Sequence, residues 1–228
     1  MTPTRRSLIL GVGAATLVSP FPLLAAGGGS RTFTVYRDGS EMGTHRIDVR
    51  PGADGAAEVD IDIQLQVKIL GITAYRYSMR NREVWKGGRL VSMDSETDDD
   101  GDADFSRVRQ VGDELEIEGS MFSGRVPGDT VSTTYWSMDF LKRGIWINTQ
   151  TGVPIEVTTA AIGPGEIGGP NGPIATERWT AKGEKLDVIL HYAGGEWLSV
   201  EFTAGGEPAV YAPQSVAPAF APVWTASL

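Results

Sequence analysis

Residues 59–69, VDIDIQLQVKI, alternate without a break. Val59, Ile61, Ile63, Leu65, Val67 and Ile69 fall on one side, and Asp60, Asp62, Gln64, Gln66 and Lys68 on the other. Such alternation predicts a strand with one buried face, because successive side chains of extended backbone point to opposite sides. The next run, AYRYSMRNREVW, alternates less cleanly. Tyr75, Tyr77, Met79 and Trp85 share a face with Asn81 and Glu83, while Arg76, Arg80 and Arg82 take the other. Charge fixes the register of the pair. With a turn centred on Gly71, Asp60 faces Arg82, Asp62 faces Arg80, Leu65 meets Tyr77 and Val67 meets Tyr75. A slip of one residue would set Ile61 against Arg80 and destroy both patterns. The arginines then read as cross-strand partners on a solvated face rather than as an anion site.

More hairpins follow. Lys86-Gly87-Gly88-Arg89 joins Val84-Trp85 to Leu90-Val91, and Gly112-Asp113-Glu114 turns into Leu115-Glu116-Ile117. Leu186 to Tyr192 and Trp197 to Phe202 flank Ala193-Gly194-Gly195. A three-residue loop there pairs Leu190 with Leu198, Val188 with Val200 and Leu186 with Phe202. A final strand ends near Tyr211. One helix is predicted over Tyr135 to Arg143, with Thr133 or Thr134 as cap, Gly144 as stop, and Trp136 and Phe140 at helical spacing. Residues 163–173, GPGEIGGPNGP, read as a loop, and the proline-bearing residues 212–228 as an extended tail. The fold class is therefore mainly β: a single curved antiparallel sheet of nine or ten strands, made of hairpins and wrapped around one short helix. One face of such a sheet is apolar and needs cover. Closing into a half-barrel or open barrel provides it and leaves room for a cavity.

The first residues change the picture of where this fold works. Thr4-Arg5-Arg6-Ser7-Leu8-Ile9 opens an apolar run that ends at Pro20 and Pro22, and Ala25-Ala26-Gly27 offers small residues for cleavage. This predicts a cleavable export signal over 1–26, a β domain over 27–211 and a tail over 212–228. The paired arginines resemble the twin-arginine type, although the general secretory route fits as well, since the usual lysine after the apolar pair is absent. The expected destination is the periplasm. Removing 1–26 takes away two arginines and no acid, so the net charge of −9 becomes more negative still. An acidic chain with no basic block is a poor partner for nucleic acid or anionic lipid surfaces. No run of the mature chain is long enough to span a membrane. The chain contains no cysteine, which excludes disulfides, thiolate metal sites, a cysteine nucleophile and a lipid-modified cysteine.

Candidate chemistry is sparse. DSETDDDGDAD, residues 94–104, has the alternating oxygens of a calcium loop from Glu96 onward. The twelfth position, however, is Arg107 where a bidentate carboxylate is required, and the flanks are strands. It reads as a solvated hairpin tip with an Asp-Gly turn. Histidine occurs twice. His45 shares an apolar face with Ile47 and Val49 and reads as a core residue; His191 reads as half of a surface pair opposite Trp197. No Gly-x-Ser-x-Gly elbow and no phosphate-binding loop is present. No catalytic residue, metal ligand or cofactor is assigned.

The segments YRDGSEMGTHRIDV, EVWKGGRLVSMDSETDDDGD, YWSMDF followed by NTQTG, and HYAGGEWLSVEF together resemble an exported alphaproteobacterial family of unknown function over residues 33–211. More loosely, the hairpin order is similar to the half-barrels of envelope lipoprotein carriers. That resemblance implies a concave apolar face able to hold a lipid or other hydrophobic ligand. The candidate ligand-binding residues are Tyr75, Tyr77, Trp85 and Trp136, whose type suits core filling equally well. The leading expectation is a non-enzymatic envelope protein with an apolar or amphipathic ligand inside a curved sheet. The alternatives are a hydrolase acting on an envelope glycan or lipid through carboxylates and His45, and an interaction module using a sheet edge and the tail.

Overall fold

The computed structural model describes residues 27–69 and 72–228; the predicted export signal lies outside them. The first half of the chain is an unbroken meander of β1 (Gly29–Arg37), β2 (Ser40–Pro51), β3 (Ala57–Ile69), β4 (Ile72–Lys86), β5 (Arg89–Asp99), β6 (Asp102–Val111), β7 (Glu114–Gly119) and β8 (Ser123–Pro127). The last third is a second meander of β12 (Thr158–Gly169), β13 (Gly172–Gly183), β14 (Leu186–Ala193), β15 (Glu196–Ala204) and β16 (Glu207–Pro213). Antiparallel pairing of β1 with β16, from Phe33–Pro213 to Arg37–Ala209, welds the two into one 13-stranded sheet. Its edges, β12 and β8, do not pair with each other, so the sheet stays open.

Between the meanders, a small sheet of β9 (Val131–Ser132), β10 (Ile145–Ile147) and β11 (Pro154–Glu156) supplies the cover that the inner apolar face requires. Trp136, Phe140, Trp146 and Ile147 of this excursion bury against Phe33, Ile47, Val59, Trp85 and Leu115 of the large sheet. The final cover is α1 (Ala221–Ser227), whose Trp224 meets Trp136 edge-on at 5.1 Å and Trp85 at 5.7 Å.

The charge-derived register is the observed one. Asp60 pairs with Arg82, Asp62 with Arg80, Leu65 with Tyr77 and Val67 with Tyr75. On the outer face Arg82 reaches Glu58 at 3.0 Å and Arg80 reaches Asp62 at 3.6 Å, and β2 extends the ladder with Arg50 on Glu58 and Asp60.

Several expectations are corrected. The sheet has thirteen strands rather than nine or ten. Residues 163–173 are not a loop but the outer end of the β12–β13 hairpin, whose strands pair from Thr158–Lys182 to Gly169–Gly172. Backbone pairing forms strands there with no apolar alternation to announce them. Residues 135–143 do not form an α-helix. Tyr135 takes a positive φ of 61°, Ser137 is extended, and only Met138–Lys142 make a 3-10 turn. The helix lies instead in the predicted extended tail, where Pro222 falls in the first turn, the one place a helix tolerates proline. In the β14–β15 hairpin the turn is the two residues Gly194 and Gly195, both at positive φ, closed by Ala193–Glu196. A bulge between His191 and Tyr192 then sets Leu190 against Val200 and His191 against Ser199, not Leu190 against Leu198.

A buried ion pair fastens the tail. The Arg31 side chain is fully buried and lies 3.1 Å from the Glu196 carboxylate. It also donates to the carbonyls of Trp197 at 2.6 Å and Ala217 at 2.7 Å. Glu196 accepts the backbone N–H groups of Ala219, Phe220 and Ala221, which are unpaired donors at the start of α1. The guanidinium also stacks over Phe220 at 4.8 Å.

Candidate functional site: a cavity under the sheet

A cavity of about 850 Å³ lies between the inner face of the large sheet and the excursion that covers it. This falls within the roughly 300–1,000 Å³ usual for small-molecule sites. One wall comes from β2 to β4, with His45, Ile63, Tyr77 and Met79; another from β14 to β16, with Leu186, Val188, Val200, Phe202 and Tyr211. The cover contributes Thr133, Tyr135 and residues 148–150. The last segment is shaped locally: the Asn148 side-chain oxygen accepts the N–H groups of Gln150 at 2.9 Å and Thr151 at 3.1 Å.

His45 is the unusual member. The strand alternation of β2 turns it inward with Ile47 and Val49, as expected, and it is only 5% exposed. Neither ring nitrogen has a hydrogen-bond partner. The imidazole is held by aromatic edges alone: Phe33 at 5.9 Å, Trp197 at 5.7 Å and Tyr211 at 5.3 Å. Burial without any compensating partner lowers its pKa to about 3, so the ring is neutral at physiological pH. Burial likewise raises the pKa values of Tyr77, Tyr135 and Tyr211. The charged groups of the lining, Lys185, Asp187 and Glu201, are exposed at its rim. Tyr135, in left-handed backbone that a bulky residue rarely adopts, is fixed by Tyr192, whose hydroxyl donates to its carbonyl at 2.8 Å.

Of the four aromatics singled out from the sequence, Tyr77 lines this cavity. Tyr75 is half-buried near the acidic tip and donates to Asp99 at 2.7 Å. Trp85 and Trp136 are both fully buried in the core, with Phe140 stacked on Trp85 at 4.7 Å. Both indoles donate to the buried Glu83 carboxylate, at 2.8 Å from Trp85 and 3.3 Å from Trp136, and Asn81 adds a donor at 2.9 Å. Burial pushes the Glu83 carboxyl above its ordinary value despite these donors. This polar knot ties β4 to the cover. Glu83→Leu leaves two buried indole N–H groups unpaired and is expected to lower stability by about 2 kcal/mol or more, read from chemical denaturation.

Sequence reasoning did not mark His45, Tyr135 and Tyr211 as a group. The available signal was His45 itself, a polar residue on an otherwise apolar strand face. His191 is corrected: it is buried rather than on the surface. Its Nδ1 lies 3.0 Å from Thr176 Oγ1 and its Nε2 2.7 Å from Glu201 Oε1.

The acidic stretch is the β5–β6 hairpin, turning at Asp100 and Gly101, both at positive φ. Most of its carboxylates already have partners. Asp98 accepts from the Gly101 N–H at 2.8 Å, Asp104 from Gln150 at 2.9 Å, and Arg107 lies 3.8 Å from Glu96. Among the described residues, no cluster of three or more metal-ligating side chains occurs. Calorimetric titration with calcium is expected to show no saturable binding below the millimolar range. Submillimolar binding lost on Asp98→Asn or Asp100→Asn would contradict this.

The fold and cavity define a class: an open, barrel-like antiparallel sheet curled over an internal small-molecule-sized space. A family profile described as a domain of unknown function, DUF6134, matches residues 33–214, and the chain belongs to that family. Comparison with curated proteins gives no match. Among solved structures, the chain is similar to a beta-barrel-like protein of the domain of unknown function DUF1849 from Brucella abortus. The TM-score is 0.55 at 7% identity, over 82% of this chain and 96% of that one. At that identity the likeness is one of fold alone. Among the described residues, no helix is long and apolar enough to cross a membrane.

Proposed function

We propose that this is an exported envelope protein that binds an apolar or amphipathic small molecule inside its open half-barrel, without catalysing a reaction. One observation carries the reading: a cavity of about 850 Å³ whose wall holds His45 buried with both nitrogens unpartnered. A buried polar group without a partner is costly and is uncommon in folded proteins unless something satisfies it. Ile63 of β3, Leu186 and Val188 of β14, and Val200 and Phe202 of β15 supply apolar contact surface for a hydrophobic ligand.

Native mass spectrometry of the protein isolated from the periplasmic fraction tests the binding. A discrete adduct that organic extraction removes is the expected result. Protein that arrives empty and takes up no amphiphile sinks the reading. Fractionation tests export separately: the mature chain, shortened by about the 26 residues of the signal, should be periplasmic.

A further inference from the structure

The ladder between β14 and β15 stops early. The two strands pair only from Ile189–Glu201 to Ala193–Glu196. Before Ile189, β14 continues to pair with β13 as far as Gly183–Leu186. After Glu201, β15 continues with β16 as far as Ala204–Glu207. Neighbouring strands of one sheet therefore part, leaving Leu186 to Val188 on one side and Phe202 to Ala204 on the other. The cavity is lined here by both faces of both strands: buried Leu186 and Val188 and half-buried Phe202, but also exposed Asp187 and Thr203. A lining drawn from both faces of a sheet is a slot through it.

The slot and the interior differ in chemistry. The slot presents Leu186, Val188 and Phe202 toward the interior and Asp187 and Thr203 toward solvent, with the charges of Lys185 and Glu201 at the rim. The interior carries His45 and the phenols of Tyr77, Tyr135 and Tyr211. Burial keeps the imidazole neutral and the phenols protonated. An ion brought there would lose its water without gaining a countercharge, which is strongly unfavourable. A neutral imidazole offers one donor and one acceptor, and a hydroxyl or amide matches both.

Resting on the ligand-binding reading above, we infer that the cavity takes an elongated amphiphile with an uncharged hydrogen-bonding end, seated against His45, and an apolar body lying in the slot between β14 and β15. The end group is of the alcohol or amide class, not a carboxylate or an ammonium.

The test titrates the full chain with 1-dodecanol below its solubility limit, and with dodecanoate and dodecyltrimethylammonium below their micellar concentrations. The readout is tryptophan fluorescence, since Trp197 packs on His45 with ring centroids 5.7 Å apart. Dodecanol is expected to bind at least about tenfold more tightly than either ion. His45→Phe should weaken dodecanol about tenfold and leave the ions unchanged, and His45→Gln, which keeps an uncharged donor and acceptor, should restore most of the affinity. Ile189→Trp, where the ladder closes the end of the slot, should slow dodecanol association about tenfold at an unchanged thermal midpoint. Equal binding of the three amphiphiles, tightest binding of an ion, or undiminished dodecanol binding by His45→Phe overturns the inference while the cavity reading stands. Unaltered association in Ile189→Trp overturns the slot as the passage. Binding of none of the three by the wild-type chain overturns the inference and the reading beneath it together.

Discussion

Arg31→Ala lowers the unfolding free energy by about 3–5 kcal/mol, and Glu196→Ala does the same. Each substitution strands the other member of the pair as an uncompensated buried charge, for the two side chains are 0% and 6% exposed. The loss is not confined to the pair. Glu196 also accepts three backbone N–H groups at the start of α1, so its removal frees the segment that seats Phe220 and Trp224 in the core. Guanidinium unfolding followed by tryptophan fluorescence measures the first effect. Chymotrypsin, which cuts after Phe220 and Trp224, measures the second: both variants should lose the C-terminal residues under conditions in which the wild type resists. Glu196→Gln retains an oxygen for the backbone donors and should cost less than Glu196→Ala. An equal loss in the two would mean that the charge alone matters and that capping does not.

The second large effect is in pH. His45 has an ordinary value of 6.5, lowered to about 3 in the folded protein. Between these values the unfolded chain binds a proton at this residue and the folded chain does not. Stability from His45 is thus fully present above pH 6.5 and falls as pH drops toward 3, by up to about 1.4 kcal/mol per pH unit. Tyr211, packed against it, and Tyr77 and Tyr135, which line the same cavity, stay protonated throughout and do not contribute. Other groups differ in window or in sign. Asp48, held below its ordinary value by the hydrogen bond from Arg46, loses stability only at more acid pH. Glu83, raised by burial, has the opposite sign and loses stability as pH rises through its folded value. The difference between wild type and His45→Gln, followed by denaturant unfolding from pH 7 to pH 4.5, isolates the His45 contribution. It should grow steadily in favour of the variant as pH falls. A constant difference would show that the imidazole titrates normally and is not sealed from water.

Much of this fold was legible because strand geometry is local. A period of two in Val59 to Val67, opposite charges at Asp60 and Arg82, and an Asp-Gly pair at 100–101 fixed β3, β4 and the β5–β6 turn, since each needs only neighbouring residues to form. The candidate site was less legible. Tyr77 could be named because aromatic residues suit cavities, but so do Trp85 and Trp136, which went to the core and to Glu83. What separates them is which side of the covering excursion each strand position meets, and that is not written in the strand.

By itself, the sequence determined the strand faces, most hairpin turns and the register wherever charge or apolar pairing made one alignment better than its neighbours. The tertiary structure alone decided the rest. It made strands of the Gly- and Pro-rich residues 163–173, where partner backbone supplies the bonds that no side-chain pattern advertises. It placed a bulge between His191 and Tyr192 that overrode the simple hairpin register. It turned the tail into a helix because Glu196, fixed by Arg31 from the far end of the chain, was waiting for its free N–H groups. It also left His45 without a partner beside a cavity. These features depend on contacts between residues far apart in sequence, and such contacts exist only once β1 and β16 have closed the two meanders into one sheet.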